Sequence, residues 1–245
     1  NYTYNIKDYI NKKIIKILIM LLYKKADLVI ANAQKIANDI KQLSSKKSEF
    51  IYPFTLKKLS KKIKNKNYKK KFNILSIGRF SIEKNLKEII KAVGIINDKN
   101  ICLKLLGSGV EIDNLKSIAK SQNVDIKFYK FSNKKEIKLL KKANLYINSS
   151  HFEGFPNIIL KALDLNVPVI ASKSHGGIYE ILMNGKGGML YNQGDEADLS
   201  KKIIEIRKNY IFHLNKTYLH KKKLTKFLIK KNVLKFQKLL DRILD

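Results

Sequence analysis

The sequence predicts an α/β fold in which a doubly wound parallel sheet carries helices on both faces. Short apolar segments alternate with helix-like segments from Phe72 to about residue 215. Parallel strands need crossover connections, which are usually helices, so this alternation indicates a Rossmann-like sheet. Polar loops that contain glycine follow several apolar segments, and sheets of this kind bind ligands beyond the carboxyl ends of their strands. We therefore expect the functional residues to lie in these loops.

Six apolar segments supply the predicted strands, and each has the length of an ordinary strand. The segments between them carry apolar residues at helical spacing, as in Leu86, Ile89, Ile90 and Val93. The predicted strands cover residues 72–77, 101–106, 125–129, 144–148, 167–171 and 188–191.

The residues before this sheet predict a smaller unit of helices and strands. The predicted helices cover residues 5–25 and 33–43, and the predicted strands cover 26–31 and 50–53. The apolar run from Ile14 to Tyr23 lies between lysine pairs and is too short to span a bilayer, which takes ~20 residues. We expect this run to belong to a core helix, with a helix at a membrane interface as the alternative.

A solvated connector is predicted at residues 56–71, where lysine and asparagine dominate. The C-terminal end predicts a basic amphipathic helix over 221–244, whose apolar face is made by Phe236, Leu239, Leu240 and Ile243. The predicted domains are therefore residues 1–70, 71–215 and 216–245.

The formal net charge of +31 lies mostly at the two ends, with +14 over residues 1–70 and +8 over 216–245. A lysine-rich compositional bias explains it most simply. An anionic membrane surface is a second explanation, since each lysine near such a surface adds about 1 kcal/mol. We expect no nucleic-acid partner, because arginine is scarce and no basic stripe is interleaved with aromatic residues. The single cysteine, Cys102, excludes an internal disulfide framework.

The loop after the first strand of the sheet, Gly78 to Asn85, carries the cations Arg79 and Lys84. An arginine fork and a lysine point charge together suit the oxygens of a diphosphate. The alternative is that both side chains are solvated cations on a lysine-rich surface.

The loop after the fourth strand, Ser149 to Asn157, combines Glu153 and Gly154 with the start of a helix. The free N–H groups at a helix start bind anions, so this loop predicts contacts to a sugar and its phosphates. The pair Gly176-Gly177 follows the fifth strand and permits close approach of the backbone to a ligand. His151 is expected to be structural rather than a catalytic base.

Taken together, these loops resemble the C-terminal half of family-4 glycosyltransferases of the GT-B fold. By this resemblance, residues 71–215 are the donor-binding domain and residues 1–70 contain the end of a partial acceptor domain. The motifs that carry the resemblance are Ala26-Asp27-Leu28-Val29-Ile30-Ala31, Ile77-Gly78-Arg79, Glu83-Lys84-Asn85, Leu106-Gly107-Ser108-Gly109, Ala143-Asn144-Leu145-Tyr146, Glu153-Gly154-Phe155-Pro156-Asn157, Asn166-Val167-Pro168-Val169-Ile170 and Gly176-Gly177 with Glu180-Ile181-Leu182.

The resemblance implies a glycosyltransferase of the hexosyltransferase type that moves a sugar from a UDP- or GDP-linked donor to a glycan or lipid-linked acceptor. Polysaccharide, lipopolysaccharide or other glycoconjugate synthesis would be its setting, with retention at the anomeric carbon and neither metal nor cofactor. Arg79 and Lys84 would bind the donor diphosphate, and Glu153 would be the catalytic residue beside the donor sugar. Backbone contacts to the donor sugar and phosphate would come from Gly154, Phe155, Pro156 and Asn157.

One position departs from the family's pattern. In the family, a second Glu eight residues after the first binds the ribose hydroxyls, and here that position is Lys161. An ammonium group cannot accept hydrogen bonds from two hydroxyls as a carboxylate does, so weaker donor binding is expected. Asp164, one turn later, is an alternative ribose acceptor. The departure keeps two other functions open, a non-catalytic nucleotide-binding remnant or scaffold and a basic adaptor at the membrane surface.

Most of the acceptor-binding domain that the resemblance implies does not precede residue 1. We expect the chain to be a fragment of a longer protein or to be completed by a separate chain that supplies the N-terminal domain. The resemblance and the basic ends together imply a cytoplasmic location, with peripheral attachment to the inner membrane face.

Overall fold

Two parallel sheets organise the chain, whose computed structural model describes residues 6–61 and 71–244. The smaller sheet pairs two short strands, β1 (Val29–Ala31) and β2 (Ser48–Phe50). The larger sheet contains β3 (Phe72–Ile77), β4 (Ile101–Leu106), β5 (Ile126–Tyr129), β6 (Leu145–Asn148), β7 (Val169–Ser172) and β8 (Met189–Tyr191). Every neighbouring pair in the larger sheet is parallel.

The strand order of the larger sheet is β5-β4-β3-β6-β7-β8. Counted from its own first strand, this is the 3-2-1-4-5-6 order of dinucleotide-binding Rossmann folds. The chain moves from β3 to one edge of the sheet and then returns to place β6 on the other side of β3. Such a switch opens a crevice beyond the carboxyl ends of the two central strands. The predicted doubly wound parallel sheet is confirmed.

Helices connect successive strands and continue beyond the last strand. The helices are α1 (Ile6–Lys25), α2 (Gln34–Ser44), α3 (Leu86–Ile96), α4 (Ile112–Ser121), α5 (Asn133–Lys142), α6 (Asn157–Asp164), α7 (Ile178–Leu182), α8 (Glu196–Lys208), α9 (Tyr210–Lys221) and α10 (Ile229–Leu244). The part of the chain that the structure describes also has 3₁₀ helices at Ile82–Lys84 and Lys222–Phe227.

The apolar core lies on both faces of the larger sheet, because side chains alternate between the faces of a strand. On β3, Phe72 and Ile74 join the core layer formed with α3 and α8. Leu75 and Ile77 of the same strand point to the opposite layer, formed with α5 and α6. Burial on both faces explains why these strands appear in the sequence as continuous apolar runs.

The predicted strands 72–77 and 101–106 coincide with β3 and β4. The other four predicted strands of the sheet each overlap an observed strand, with ends that differ by one or two residues. Of the predicted connector 56–71, residues 62–70 lie outside the described residues. The described part, 56–61, is not simply solvated, because Leu56 is buried and Ser60 donates two hydrogen bonds to Asp164.

Helix α1 differs from the predicted core helix. Among its described side chains, several large apolar residues are about half exposed rather than packed in a core. They are Ile14, Ile15, Ile17, Leu18, Met20, Leu21 and Leu22. The bounds of α1 nearly match the predicted helix 5–25. The predicted burial of its apolar side chains was wrong.

The predicted C-terminal helix 221–244 is wrong at its start. Helix α9 ends at Lys221, whose buried ammonium bonds to the backbone carbonyl of Asp164, and a 3₁₀ turn follows. That turn buries Leu224 and Phe227, so the last helix, α10, begins only at Ile229. Of the four residues in the predicted apolar face, Leu239 is buried, whereas Leu240 and Ile243 are exposed.

Helix α10 returns to the N-terminal unit and packs beside β2. The backbone N–H of Ile229 donates to the carbonyl of Leu56. Asn232 accepts from the backbone N–H of Tyr52 at 3.2 Å, and the ammonium of Lys235 lies 3.5 Å from the centre of the Phe50 ring. The first and last described segments of the chain are therefore joined on the side of the sheet that carries α6.

Candidate functional site

A cleft of about 420 Å³ lies beyond the carboxyl ends of β3 and β6, where the strand order reverses. It is the position at which α/β sheets of this order bind ligands. The cleft is lined by Ile77, Gly78, Arg79, Lys84, Gly107, Ser108, Phe131, Glu136, Tyr146, Asn148, Glu153, Phe155, Pro156, Asn157 and Ile158. Loops and helix starts that follow four different strands thus contribute to one site.

An ion pair between Lys84 and Glu153 crosses this cleft. The Nζ atom of Lys84 lies 2.6 Å from Oε1 of Glu153, and the two side chains are 24% and 14% exposed. Lys84 follows β3 and Glu153 follows β6, so the pair joins the loops of the two central strands. The sequence predicted that both residues face the same ligand, and the structure brings them into direct contact.

Two further side chains hold the carboxylate of Glu153 in place. The hydroxyl of Ser150 donates to Oε1 at 2.7 Å, and the amide of Asn148 donates to the same oxygen at 3.3 Å. Together with Lys84, three donors converge on one oxygen of Glu153. Charge-assisted bonds of this kind are stronger than neutral ones, so Glu153 is fixed in position before any ligand arrives.

The backbones of the two central loops are also bonded to each other. The hydroxyl of Ser149 donates to the carbonyl of Lys84 at 2.8 Å, and the backbone N–H of His151 donates to the carbonyl of Glu83 at 2.8 Å. Burial lowers the pKa of His151, and the charge of Lys87 lowers it further. His151 connects the two loops through its backbone N–H, and its structural role stays a prediction.

A buried carboxylate, Glu88, supports the loop that carries Lys84. Its Oε2 atom accepts from the side-chain amide of Asn85 and, at 3.0 Å, from the hydroxyl of Tyr191, while Oε1 accepts from the backbone N–H of Gly194 at 2.6 Å. Burial raises the pKa of Glu88, although the bonds from Tyr191 and Gly194 oppose the shift. Asn85 has a left-handed backbone, so its bond to Glu88 stabilises the turn between Lys84 and α3.

Arg79 is exposed and lines the cleft beside Lys84. Its guanidinium carries five donors that match the geometry of phosphate oxygens. The prediction that Arg79 and Lys84 belong to one site agrees with their shared cleft, and their role towards a ligand stays a prediction.

The start of α6 forms another wall of the cleft. Asn157 and Ile158 are its first two residues, and the N–H groups of a first helical turn lack acceptors within the helix. Asn157 is held by the hydroxyl of Thr55, which donates to its Oδ1 at 2.6 Å. These features fit the predicted backbone contacts at Asn157, whereas Pro156 lines the cleft but has no N–H to offer.

Of the two residues before Pro156, Phe155 lines the cleft and Gly154 does not. The Phe155 ring is buried and lies 5.3 Å from the ring of Tyr52 and 5.6 Å from that of Phe227. Its side chain therefore anchors the loop to the core. Gly154 is exposed and does not line the cleft, and its carbonyl accepts from the backbone N–H of Gly177.

Lys161 does not line the cleft and instead forms an ion pair with a residue that does. Its Nζ atom lies 2.6 Å from Oε1 of Glu136, and the side chains of Lys161 and Glu136 are 37% and 5% exposed. Asp164, the alternative ribose acceptor, points away from the cleft. Its oxygens accept from Ser60, and its Oδ1 lies 3.5 Å from the ammonium of Lys221.

The N-terminal unit contacts the larger sheet through Glu180 of α7. This carboxylate accepts from the backbone N–H groups of Gln34 and Lys35, at the start of α2, and from the hydroxyl of Tyr52 at 2.9 Å. A carboxylate at a helix start is favoured by the free N–H groups and the dipole of that helix. A second contact joins His175 to Asp39 at 2.6 Å. The N-terminal unit is thereby fixed next to the Glu153 loop.

The residues that sequence reasoning missed are Glu136, Glu88, Asn148, Ser150 and Glu180. Each of them forms a hydrogen bond with a residue that lies between 3 and 146 positions away in the chain. For Glu136, the sequence did contain a partial signal, because a single Glu stands in an otherwise basic stretch between Lys135 and Lys138.

A family model for glycosyl transferases, group 1, matches residues 57–234. This match covers more than half of the chain and spans the whole sheet with its cleft. The chain belongs to the group 1 glycosyl transferases. The predicted resemblance to GT-B glycosyltransferases is thereby confirmed.

Curated relatives of this group 1 chain include bacterial glycosyltransferases. The chain is 30% identical over 240 residues to N-acetylgalactosamine-N,N'-diacetylbacillosaminyl-diphospho-undecaprenol 4-alpha-N-acetylgalactosaminyltransferase of Campylobacter jejuni, covering 94% of this chain and 65% of the relative. It is also 30% identical over 137 residues to the capsular polysaccharide biosynthesis glycosyltransferase CapM of Staphylococcus aureus, covering 54% of this chain and 36% of CapM. The chain thus spans less than two thirds of these relatives.

Solved structures share the fold at lower identity. Anabaena Alr3699/HepE, solved in complex with UDP and glucose, superposes with a TM-score of 0.79 at 20% identity, covering 89% of this chain and 64% of that one. S. aureus TarM, solved as a mutant with UDP among its ligands, superposes with a TM-score of 0.78 at 18% identity, covering 88% and 44%.

Two features are absent from the described residues. Within residues 6–61 and 71–244, no group of three or more His, Cys, Asp or Glu side chains could hold a metal ion. In the same part of the chain, no helix is both long and apolar enough to cross a membrane.

Gly176 brings the loop after β7 close to the Glu153 loop, and its substitution is expected to be costly. With φ at +115°, a Cβ at Gly176 would stand 1.6 Å from the carbonyl oxygen of Glu153. We expect Gly176→Ala to lower the free energy of unfolding by roughly 2 kcal/mol or more, measured by urea denaturation. Gly194→Ala is the matched control, since Gly194 also has a positive φ but open space around its Cα. Equal losses in the two variants would contradict this contact.

Proposed function

We propose that this chain forms the donor-binding part of a retaining glycosyltransferase. The enzyme would transfer a sugar from a UDP- or GDP-linked donor to a glycan or lipid-linked acceptor in the synthesis of polysaccharide or another surface glycoconjugate. The observation that carries the proposal is the Lys84–Glu153 ion pair, which lies beside Arg79 at the switch point of the sheet. It combines a group that suits a diphosphate with a group that suits sugar hydroxyls.

The leaving diphosphate is the first chemical demand of such a transfer. As the bond between sugar and phosphate breaks, negative charge grows on the phosphate oxygens, and fixed cations stabilise that charge. Arg79 offers paired N–H donors, and the ammonium of Lys84 has three, of which Glu153 takes one. Both cations come from the same wall of the cleft. We propose that they neutralise the leaving group without a metal.

The donor sugar is the second demand. Glu153 is an acceptor-only group whose Oε1 is already held by three donors, so its orientation costs little on binding. We propose that Glu153 accepts hydrogen bonds from the sugar hydroxyls beside the anomeric carbon. The N–H groups of Asn157 and Ile158 would then face the phosphate end of the donor.

The names of similar proteins support a nucleotide-linked donor and a lipid-linked acceptor. HepE and TarM were solved with UDP, which makes UDP the first nucleotide to test and GDP the alternative. The name of the C. jejuni relative includes a diphospho-undecaprenol acceptor, which supports a lipid-linked acceptor for this chain. The acceptor-binding residues would lie partly in the N-terminal unit, which contacts the donor side through Glu180.

We also propose a cytoplasmic location with peripheral attachment to an anionic membrane. Support comes from α1, which exposes Ile14, Ile17 and Leu21 and ends at Lys24 and Lys25. A helix that exposes apolar side chains among lysines suits the interface of an anionic bilayer.

Nucleotide binding tests the role of the two cations. We expect micromolar binding of UDP or GDP by calorimetry at fixed salt, and a loss of roughly tenfold or more in Arg79→Ala and in Lys84→Met. Lys116→Met is the control, because Lys116 is an exposed lysine on α4 outside the cleft. Unchanged affinity in both cleft variants would show that the diphosphate binds elsewhere.

Turnover tests the role of Glu153 and separates an enzyme from a scaffold. We expect Glu153→Gln to reduce sugar transfer from the nucleotide sugar about a hundredfold or more, with nucleotide affinity changed far less. Asp113→Asn, which removes an exposed carboxylate on α4, should leave transfer unchanged. Full transfer by Glu153→Gln would contradict the proposal, and nucleotide binding without any transfer by the unaltered full-length protein would favour the scaffold.

Vesicle flotation tests the membrane proposal. We expect the chain to float with vesicles that contain phosphatidylglycerol and to remain in solution with phosphatidylcholine alone. Reversing the charge of Lys24 and Lys25 to Glu should weaken flotation, whereas Lys116→Glu on α4 should not. The absence of flotation with anionic vesicles would remove this part of the proposal.

A further inference from the structure

The carboxylate of Glu136 lines the cleft but has no role in the proposed sugar transfer. Glu136 lines the cleft with Arg79 and Phe131, yet its side chain is only 5% exposed and its partner is Lys161. We infer that Glu136 binds the ribose hydroxyls of the donor nucleotide and that Lys161 positions it. This inference rests on the proposed function, because it requires a nucleotide in this cleft.

The position of Glu136 in the fold suits the nucleoside end of a donor. Glu153 follows β6, whereas Phe131 and then Glu136 follow β5. In the order β6-β3-β4-β5, the outer two strands lie three spacings apart, or roughly 14 Å. The cations at Arg79 and Lys84 follow β3, between them. A ligand with its sugar at Glu153 and its diphosphate at the cations would therefore extend its nucleoside towards Phe131 and Glu136.

The chemistry of Glu136 suits two neighbouring hydroxyls. A carboxylate only accepts hydrogen bonds, and its two oxygens can take one O–H from each of two adjacent hydroxyl groups. Oε1 of Glu136 accepts from Lys161 at 2.6 Å, and no hydrogen bond from the residues described reaches Oε2. An acceptor with spare capacity inside a cleft is what a ribose diol requires.

Lys161 has a different role because it stands outside the cleft lining. Its ammonium reaches Glu136 from α6, the helix beside α5, and its own side chain is 37% exposed. The ion pair fixes the direction of the Glu136 carboxylate across the gap between the two helices. The lysine at position 161 thus orients a carboxylate supplied by α5.

The competing explanation is that the Glu136–Lys161 ion pair is purely structural. Comparing a ribonucleotide with its 2′-deoxy form distinguishes this explanation from ribose binding. We would measure binding of UDP and 2′-deoxy-UDP by calorimetry at fixed salt, or of GDP and 2′-deoxy-GDP if the chain prefers guanine. Loss of one charge-assisted hydrogen bond predicts that the ribonucleotide binds roughly tenfold more tightly. In Glu136→Gln this preference should fall below about threefold, while 2′-deoxy-UDP binding changes little. Asp113→Asn is the control for the loss of one negative charge.

The outcomes separate the inference from the proposed function. If the unaltered chain binds neither UDP nor GDP, the proposed function fails and the inference falls with it. If it binds UDP and Glu136→Gln keeps the full ribose preference, or weakens both nucleotides equally, the inference is wrong and the proposed function stands.

Lys161 is tested by its own pair of variants. We expect Lys161→Gln to reduce the ribose preference, because Glu136 loses the partner that orients it, and Lys161→Arg to retain it. Thermal unfolding of each variant shows whether the fold is intact. An unaltered preference in Lys161→Gln would overturn the positioning role of Lys161.

Discussion

The ion pair between Lys84 and Glu153 is the interaction on which the cleft depends. The two residues are 69 positions apart in the chain and meet only because the reversal of strand order makes β3 and β6 neighbours. Coulomb attraction between partly buried charges is much stronger than between solvated ones. The pair therefore holds the two central loops together, and the remaining walls of the cleft are arranged around it.

The layers beneath this pair show why it stays in place. Behind Lys84, the buried Glu88 bonds to Asn85 and to the loop after β8. Behind Glu153, Gly176 allows the loop after β7 to lie against its carbonyl, and Phe155 packs into the core. Each support belongs to a different element, so the geometry of the site is a property of the whole sheet rather than of one loop. Preorganisation of this kind is what transition-state stabilisation requires.

The fold could be predicted from the sequence because strands buried on both faces leave continuous apolar runs, as in β3 and β4. Arg79, Lys84 and Glu153 could be predicted as site residues because each stands in a polar loop at a strand end. The Glu136–Lys161 pair could not, because it depends on α5 and α6 lying side by side, which no spacing in the chain encodes. The start of the last helix was predicted too early for the same reason, since Lys221 closes α9 and its partner is Asp164.

The charge of the cleft differs from the charge of the chain. The net charge is +31, yet among the described residues the charged side chains that line the cleft are two cations, Arg79 and Lys84, and two carboxylates, Glu136 and Glu153. A site built to attract a polyanion would present cations alone along its length. Alternating cations and carboxylates instead match a ligand that carries both phosphates and hydroxyls. The excess positive charge at the chain ends therefore needs an explanation separate from the cleft, and the exposed apolar side chains of α1, set among lysines, are consistent with the membrane attachment that we propose.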